Sequence, residues 1–249
     1  LFRPAFQEIS RNCLNDNYVK YEHILKGIFM VAAEAILRCD GQQFKKMAEA
    51  GLAWLQTNQE KVNQLNVFPV PDGDTGTNMF LTMRKAYDEI APLNDADVSK
   101  VSNKLAYGAR LGARGNSGVI LSEWLRGFAE ALQQHPEFDA PLFALACQCA
   151  VDRAYKAVVT PVEGTILTVS RQAMEAVAGR AVAEPDIKAL FETKVAAAYE
   201  SLRHTPDLLP MLKEAGVVDS GGQGWTFIME GMFFFLGGEK TFLSPQWLR

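Results

Sequence analysis

Two aspartates that lie one residue apart, Asp72 and Asp74, are the side chains of this sequence whose spacing best suits chemistry. They belong to the stretch NVFPVPDGDTGTNMF, in which Gly73 separates them. Side chains two positions apart diverge on a helix, but they can face one ion from an extended or turn segment. Pro69 and Pro71 disfavour helix in the residues before them. The pattern therefore predicts two carboxylates in a non-helical segment, with space at Gly73 for an ion and its waters.

A helix is predicted to begin just after this segment, near Thr77. Asp74 or Thr75 can cap it, which would aim the backbone N–H groups of Gly76, Thr77 and Asn78 at one point. Carboxylates beside an anion-binding helix start suit a magnesium-bound nucleotide, whereas zinc would need His or Cys, and none is near. The alternative is that the two acids only cap a helix and line a turn. The spacing does not match the P-loop pattern G-x-x-x-x-G-K-[ST].

Four loops that are rich in glycine or acidic residues each precede a predicted helix. They are PDGDTGTN (71–78), GARGNSG (112–118), PVEGT (161–165) and VDSGGQG (218–224). One such loop alone would be ordinary turn chemistry. Because the four loops lie on alternate connections, we expect them at the same end of a helical bundle, where several helix N-termini converge. Helix N-termini bind phosphate, so this end is a candidate phosphate site.

The elements that carry these loops show a helical period. Apolar residues recur every three or four positions from Met79 to Ile90, Val98 to Gly108, Leu121 to Leu132 and Ile166 to Val177. Further helices are predicted over 41–58, 141–158, 187–203 and 222–236, the last apolar nearly all round and so central. No alternating strand of six residues or more is evident. The predicted fold class is all-α, an antiparallel bundle or barrel of seven to nine helices.

Three segments are predicted along the chain. Residues 40–237 form one domain, because no long Pro/Ser linker divides them. Residues 1–39 are an additional N-terminal helical segment, and residues 238–249 are the start of a linker to further C-terminal domains. The apolar stretch ILKGIFMVAAEAIL, of about 14 residues, is too short for a membrane span of roughly 20.

Composition narrows the functional classes. The 249 residues are 48% hydrophobic, which is enough for a real core, and the net charge of -4 argues against a nucleic-acid-binding protein. Four cysteines are too few for a disulfide framework and favour a reducing cytoplasm. Cys147 and Cys149 point to different faces of a helix and are predicted to be small buried side chains.

Four motifs resemble one family. LNVFPVPDGDTGTNM, GARGNSGVILS, AYKAVVTPVEGTILTV and LKEAGVVDSGGQG closely resemble the N-terminal kinase domain of the bacterial fatty acid kinases, which are relatives of the dihydroxyacetone kinase L subunit. The resemblance runs from about Gly41 to Gly237. It implies a barrel of eight antiparallel helices with ATP or ADP and two magnesium ions at one end. It also implies that a separate DegV-like carrier protein presents a fatty acid, whose acyl phosphate product enters phospholipid synthesis.

The resemblance assigns roles to individual residues. Asp72 and Asp74 match metal-binding aspartates, and Asn66 is the nearest counterpart of a third aspartate in dihydroxyacetone kinase subunits. Thr75 replaces a histidine of those subunits, which favours the fatty acid kinase branch. Residues matching nucleotide-binding loops are Thr75, Gly76, Thr77, Asn78, Gly115, Asn116, Ser117, Gly118, Gly164, Thr165, Asp219, Ser220 and Gly221.

A basic residue and the absence of a catalytic histidine complete the predicted site. Arg114 is the candidate that steadies the transferred phosphoryl group, the alternative being an ordinary salt bridge. A fatty carboxylate, like Glu, is already ionised at neutral pH and needs no general base, and no histidine lies within the four motifs. Two other functions stay open, a dihydroxyacetone-kinase-type subunit for a small hydroxyketone and a nucleotide-binding module without turnover. The resemblance also leaves a homodimer open.

Overall fold

A computed structural model of the chain describes residues 35–237. The predicted linker over 238–249 and nearly all of the predicted N-terminal helical segment lie outside the described residues. The last five residues of that segment are described and are not helical. Residues 35–38 are irregular, and Cys39 begins the first strand.

The described residues form ten helices and two short strands. In chain order these are β1 Cys39–Asp40, α1 Gly41–Gln64, α2 Thr75–Ile90, α3 Val98–Gly112, α4 Gly115–Ala131, β2 Glu137–Phe138, α5 Ala140–Lys156, α6 Ile166–Arg180, α7 Ile187–Arg203, α8 Thr205–Leu208, α9 Pro210–Ala215 and α10 Ser220–Phe235.

Eight long helices close into a ring. Each of α1 to α7 packs against the next long helix along the chain, and α10 packs against both α7 and α1. Among the described residues, the predicted all-α barrel of about eight helices is therefore confirmed. A buried carboxylate marks the closing seam, because Glu230 of α10 accepts hydrogen bonds from Trp54 of α1 (2.6 Å) and Tyr199 of α7 (2.8 Å).

The core follows from the helical period read in the sequence. In α1 the buried residues include Phe44, Met47, Gly51 and Leu55, which recur at three- and four-residue steps on one face. α10 is buried over its whole length up to Phe233, as its all-round apolar sequence predicted. Aromatic rings fill the centre, where those of Phe143 and Phe191 stack with centroids 4.8 Å apart.

One end of the barrel, which we call the closed end, is sealed by aspartate caps. Asp40, Asp97, Asp139 and Asp186 precede α1, α3, α5 and α7, and each side chain accepts a hydrogen bond from its helix's first turn. Such a cap typically stabilises a helix by about 1 kcal/mol. β1 and β2 pair at this end, where Cys39 lies opposite Phe138.

The two ends of the described chain both reach the closed end. The N–H of Ile36 donates to Asp186 (3.0 Å), and the carbonyl of Ile36 accepts from the N–H of Ile187 (2.8 Å). Gly237 approaches Lys188, which lies in the first turn of the same helix, α7. Residues 35 and 237 therefore lie near the start of α7.

The short elements differ from the sequence expectation. α8 and α9 were not predicted, because each has fewer than two turns and begins at a proline-containing segment that shows no helical period. The strands have two residues each, too short for an alternating pattern. α1 continues to Gln64, six residues past the predicted end at 58.

Two further expectations concern membranes and thiols. Within residues 35–237 no helix combines the length and the apolar character needed to cross a membrane. Cys39 and Cys147 are buried free thiols, whereas Cys149 is only partly buried. The prediction of small buried side chains is thus confirmed for Cys147 and holds only in part for Cys149.

Candidate functional site

A cleft of about 590 Å³ lies at the end of the barrel opposite the aspartate caps, and we call this the open end. The starts of α2, α4, α6 and α10 meet around it, so the four loops do converge on one site. The predicted site residues that line the cleft are Asn66, Asp72, Asp74, Thr75, Asn78, Gly115, Asn116, Ser117, Thr165, Asp219, Ser220 and Gly221.

Five predicted residues do not line this cleft: Gly76, Thr77, Gly118, Gly164 and Arg114. All of them except Arg114 are buried or partly buried in contacts with other elements. A Cβ on Gly76 would collide with the Gln59 carbonyl of α1, and one on Gly164 would lie 2.9 Å from the Thr205 carbonyl. These glycines therefore allow backbones to approach closely. Arg114 is exposed at the position before α4 and takes part in no ion pair within the described residues.

Asn66 holds the start of α2 in place. Its amide oxygen accepts from the Thr75 N–H (3.0 Å) and from the Thr75 hydroxyl, and its amide nitrogen donates to the Val70 carbonyl (2.7 Å). The Thr75 hydroxyl also accepts from Ser220 at the start of α10 (3.4 Å). Asn66 thus fixes both ends of the loop that carries the two aspartates. Its role as a third metal ligand stays a prediction.

The sequence prediction for the start of α2 was wrong in two respects. The helix begins at Thr75 rather than near Thr77, and Asp74 precedes it without a side-chain capping bond. Asp74 has φ -116° and ψ 0°, whereas a capping residue needs extended backbone. The Thr77 N–H donates to Asn63 of α1 (3.1 Å), and the Asn78 N–H donates to the Asp74 carbonyl. Hence α2 does not present the row of free donors that was expected.

The start of α4 differs from the other three helix starts at the cleft, because no side chain of residues 35–237 takes its first N–H groups. Side chains take first-turn N–H groups at the other three helices: Asn66 and Asn63 at α2, Thr165 at α6, and Asp219 at α10. No side chain caps α4 within the described residues. The first N–H groups of an α-helix have no partner inside the helix, and they carry its partial positive charge. Gly115, Asn116 and Ser117 therefore present donors and positive potential to the cleft.

Only glycine fits well at position 115, because of the backbone conformation there and because a neighbouring side chain leaves no room for a Cβ. Its φ is +59°, in the left-handed region that glycine adopts without strain, and a Cβ there would collide with the side-chain amide of Asn78. Asn78 also lines the cleft. The absence of a side chain at Gly115 thus lets Asn78 of α2 reach the start of α4.

Asp219 is a buried acid at the cleft. Its side chain is 4% exposed and accepts from the Gly222 N–H at 2.6 Å. Burial raises the pKa of its carboxyl to about 6, although backbone hydrogen bonds from Gly222 and Ile166 oppose the rise. Asp219 is also tied to the start of α8, because its N–H donates to the Thr205 hydroxyl at 3.0 Å.

We expect Asp219→Asn to stabilise the nucleotide-free chain at neutral pH. The folded-state pKa is raised, so the folded state binds more protons than the unfolded state between about pH 4 and pH 6, and unfolding free energy falls as pH rises through that window. Asparagine keeps the capping oxygen and removes the buried charge. Urea unfolding should show the variant about 1–3 kcal/mol more stable at pH 8 and equal to the parent near pH 4. Lower stability of the variant at pH 8 would contradict this assignment.

Gly118 supports the site through packing between α4 and α2. A Cβ there would collide with the Thr82 hydroxyl, which donates to the Asn78 carbonyl (2.7 Å) and accepts from the Arg114 N–H (3.3 Å). Gly118 itself does not line the cleft. A larger side chain at position 118 would therefore disturb the cleft through Thr82.

We expect Gly118→Val to lower the free energy of unfolding by about 1–3 kcal/mol and to weaken nucleotide affinity, because α4 must shift away from Thr82. Urea unfolding and a nucleotide titration measure the two effects. Gly179→Val is the matched control, because an added Cβ at this position of α6 meets nothing within 4 Å. Unchanged stability and affinity in Gly118→Val would show that the contact between Gly118 and Thr82 does not support the site.

One wall of the cleft was missed by sequence reasoning. Val158, Val159 and Thr160, after the end of α5, line it together with Val119 and Ile120 of α4. Val159 is fully exposed, and Val119 is 43% exposed. The sequence contains one signal for this wall, the apolar residues 157–159 shortly before the PVEGT loop. The same residues could equally well be the end of a buried helix. The site thus combines a polar side at the helix starts with an apolar side.

A network of side chains holds this wall against α6. Glu163 accepts from Thr168 (2.7 Å), Tyr155 (2.9 Å) and Arg171 (2.9 Å). Burial raises the pKa of the Glu163 carboxyl, but these three donors outweigh it, so the pKa lies below its usual range. The loop between α5 and α6 is therefore tied to both helices.

The donor set of the cleft fits magnesium that arrives with a nucleotide. Within the described residues no three His, Cys, Asp or Glu side chains form a metal site of their own. Asp72 and Asp74, exposed and half-buried respectively, both line the cleft. Magnesium is usually held by one or two carboxylates, with waters and substrate phosphates in the remaining positions. Oxygen ligands without His or Cys suit this hard cation.

The ring of eight helices with its cleft among alternate helix starts defines the class of the protein as an all-α barrel of the dihydroxyacetone kinase type. The crystal structure of the dihydroxyacetone kinase of C. freundii in its native form is similar over 76% of this chain and 34% of that chain, with a TM-score of 0.56. Its sequence identity is 17%, so the likeness shows the fold alone.

Sequence comparison then gives the family. Residues 69–233 match the DAK2 domain model, and the chain belongs to the DAK2 domain family. Protein YloV of Bacillus subtilis (strain 168) is 49% identical over 207 residues, which cover 83% of this chain and 37% of the relative. Uncharacterized protein SAB1090 of Staphylococcus aureus (strain bovine RF122 / ET3-1) is 44% identical over 206 residues, or 83% of this chain and 38% of the relative. The chain thus spans less than two-fifths of these relatives' length.

Proposed function

We propose that the chain is a phosphotransferase domain that uses ATP and magnesium to phosphorylate a fatty acid held by a carrier protein, in the cytoplasm. One observation carries the proposal: Asp72 and Asp74 lie in the same cleft as the uncapped start of α4. The two carboxylates would hold magnesium ions, and the N–H groups of Gly115, Asn116 and Ser117 would bind phosphate oxygens. Metal and amides together would neutralise the charge of the transferred phosphoryl group.

Arg114 would add a mobile positive charge to this arrangement. It lies next to the α4 start, is exposed, and makes no ion pair among the described residues that would hold it elsewhere. A guanidinium can bind two phosphate oxygens at once. Its side chain would therefore turn toward the phosphoryl group when nucleotide is present.

The acceptor is proposed from the charges and the apolar wall of the cleft. Among residues 35–237 no histidine lines the cleft, and the acidic residues that do are Asp72, Asp74 and Asp219. A hydroxyl acceptor needs a base to remove its proton, whereas a carboxylate is already ionised at neutral pH. Val119, Val158 and Val159 offer apolar surface beside the phosphate side. The apolar surface favours a fatty carboxylate over a small hydroxyketone, because only the fatty acid has a chain to place on it.

Calorimetric titration with ATP tests the nucleotide site directly. Binding should be measurable with magnesium and much weaker without it, because the two carboxylates would hold the metal and the metal would neutralise phosphate charge. Equal ATP affinity with and without magnesium would show that Asp72 and Asp74 do not act as metal ligands for the nucleotide. The absence of ATP binding under both conditions would overturn the proposal as a whole.

An acceptor panel tests the substrate. ATP consumption should be catalytic with a fatty acid loaded on a DegV-type carrier and near background with free dihydroxyacetone. Catalytic turnover with dihydroxyacetone instead would favour the hydroxyketone-kinase alternative. ATP consumed only in stoichiometric amounts would indicate a nucleotide-binding module without turnover.

A further inference from the structure

A lysine lies in the aromatic core of the barrel. Lys194 of α7 is 1% exposed, and its Nζ lies 4.8 Å from the ring centroid of Trp124, 5.1 Å from Phe143, 5.6 Å from Phe191 and 5.4 Å from Trp225. Aromatic faces attract a cation, but they offer no hydrogen-bond acceptor of ordinary strength. Four rings thus enclose the amine and separate it from water.

The one polar partner of this amine within residues 35–237 is a thiol. The Nζ of Lys194 donates to the Sγ of Cys147 at 3.2 Å, and no carboxylate of the described chain forms an ion pair with it. Cys147, on α5, is fully buried. Burial raises the pKa of the Cys147 thiol, and the charge of Lys194 opposes that rise. Burying a lysine without a carboxylate is costly, so the pairing calls for a chemical role. Neither residue lines the cleft, and the proposed function uses neither.

We propose that Cys147 and Lys194 form an oxidative cross-link in which one oxygen atom joins Sγ to Nζ. Dioxygen is the oxidant. The ammonium of Lys194 first releases one proton to become a neutral amine. The O–O bond, the S–H bond and one N–H bond then break, an S–O bond and an O–N bond form, and the second oxygen atom leaves as water with the two hydrogens. Sulfur and nitrogen each lose two electrons, and the four electrons reduce one dioxygen molecule. Oxidation at sulfur is the first step open to a cysteine.

The geometry selects this pair of atoms. A separation of 3.2 Å is within the range of reacting groups that are already positioned, and it leaves room for a single bridging atom. The surrounding rings exclude water and other nucleophiles, while dioxygen is small and apolar enough to enter a core. The other described cysteines lack such a partner, because Cys39 contacts the Asp40 carbonyl and the Met47 sulfur, and Cys149 is partly exposed.

Mass spectrometry of the unchanged chain tests the cross-link. The protein is purified without oxygen, divided, and incubated in air or under argon. Proteolysis of the aerated sample should yield linked peptides that contain residues 147 and 194 and are heavier by about 14 Da than the sum of the two free peptides. Dithiothreitol should release both peptides, and the sample under argon should show no link.

Variants give the matched controls. Cys147→Ser and Lys194→Arg should lose the link, and Cys149→Ser, on the same helix, should keep it. The comparison of air with argon uses no variant, so it remains decisive where a core substitution impairs folding. Absence of a linked pair in air, oxygen added to Cys147 alone, or a link that lacks the extra oxygen would each overturn the proposal.

Discussion

Alanine in place of Asp72 or Asp74 is expected to abolish magnesium-dependent ATP binding, with an affinity loss of at least about 100-fold. Each substitution removes one of two acidic groups in the cleft that can hold magnesium. The helical circular dichroism signal should not change, because both residues lie in a loop and Asp74 makes no capping bond. Calorimetry with and without magnesium measures the loss, and circular dichroism monitors the fold.

Asp88→Ala is the matched control for this experiment. Asp88 lies on α2, pairs at the surface with Arg84, and is outside the cleft. Its removal should leave ATP affinity unchanged. Unfolding of both cleft variants would show that the two acids are structural, and magnesium dependence that persists in both would place the metal elsewhere.

Asn66→Ala is expected to cost about 2–4 kcal/mol of unfolding free energy and to weaken ATP binding. The side chain is buried and makes three hydrogen bonds to Thr75 and Val70, so alanine leaves buried polar groups without partners. The loop with Asp72 and Asp74 would then lose its attachment at both ends. Urea unfolding and an ATP titration measure the two effects.

A second substitution at the same position separates positioning from metal binding. Asn66→Asp keeps the oxygen that accepts from Thr75 but loses the donor to the Val70 carbonyl. We expect it to be less stable than the parent and to bind magnesium no more tightly. Tighter magnesium binding would identify position 66 as a metal-ligand position. Asn103→Ala, which removes an exposed side-chain bond to Ser99, is the control and should change stability by less than about 0.5 kcal/mol.

The barrel could be predicted because most of its helices are amphipathic. Predicted helix 187–203 coincides with α7, and the other long helices agree with the sequence period to within a turn or two. The convergence of four loops was also accessible, because alternate connections of an up-and-down ring share one end. These inferences depend on local patterns that each segment carries by itself.

The donor arrangement in the cleft could not be predicted, because it depends on competition between distant side chains. Asn63 lies outside the four motifs, and Asn66 lies inside one of them but was predicted to hold metal. Both take N–H groups of α2, so the expected row of free donors is found at α4 instead. Likewise, Lys194 lies in a helix whose period alone would allow its amine to reach solvent. Its burial follows from rings contributed by other helices.

The closed end has a practical consequence for how binding is measured. Residues 35 and 237 both lie near the start of α7, at the opposite end of the barrel from the cleft. A sensor surface or fluorescent reporter attached at either position would leave the cleft facing the solution. Joining the two positions with a short peptide should likewise permit circular permutation, with new termini opened in another connection at that end.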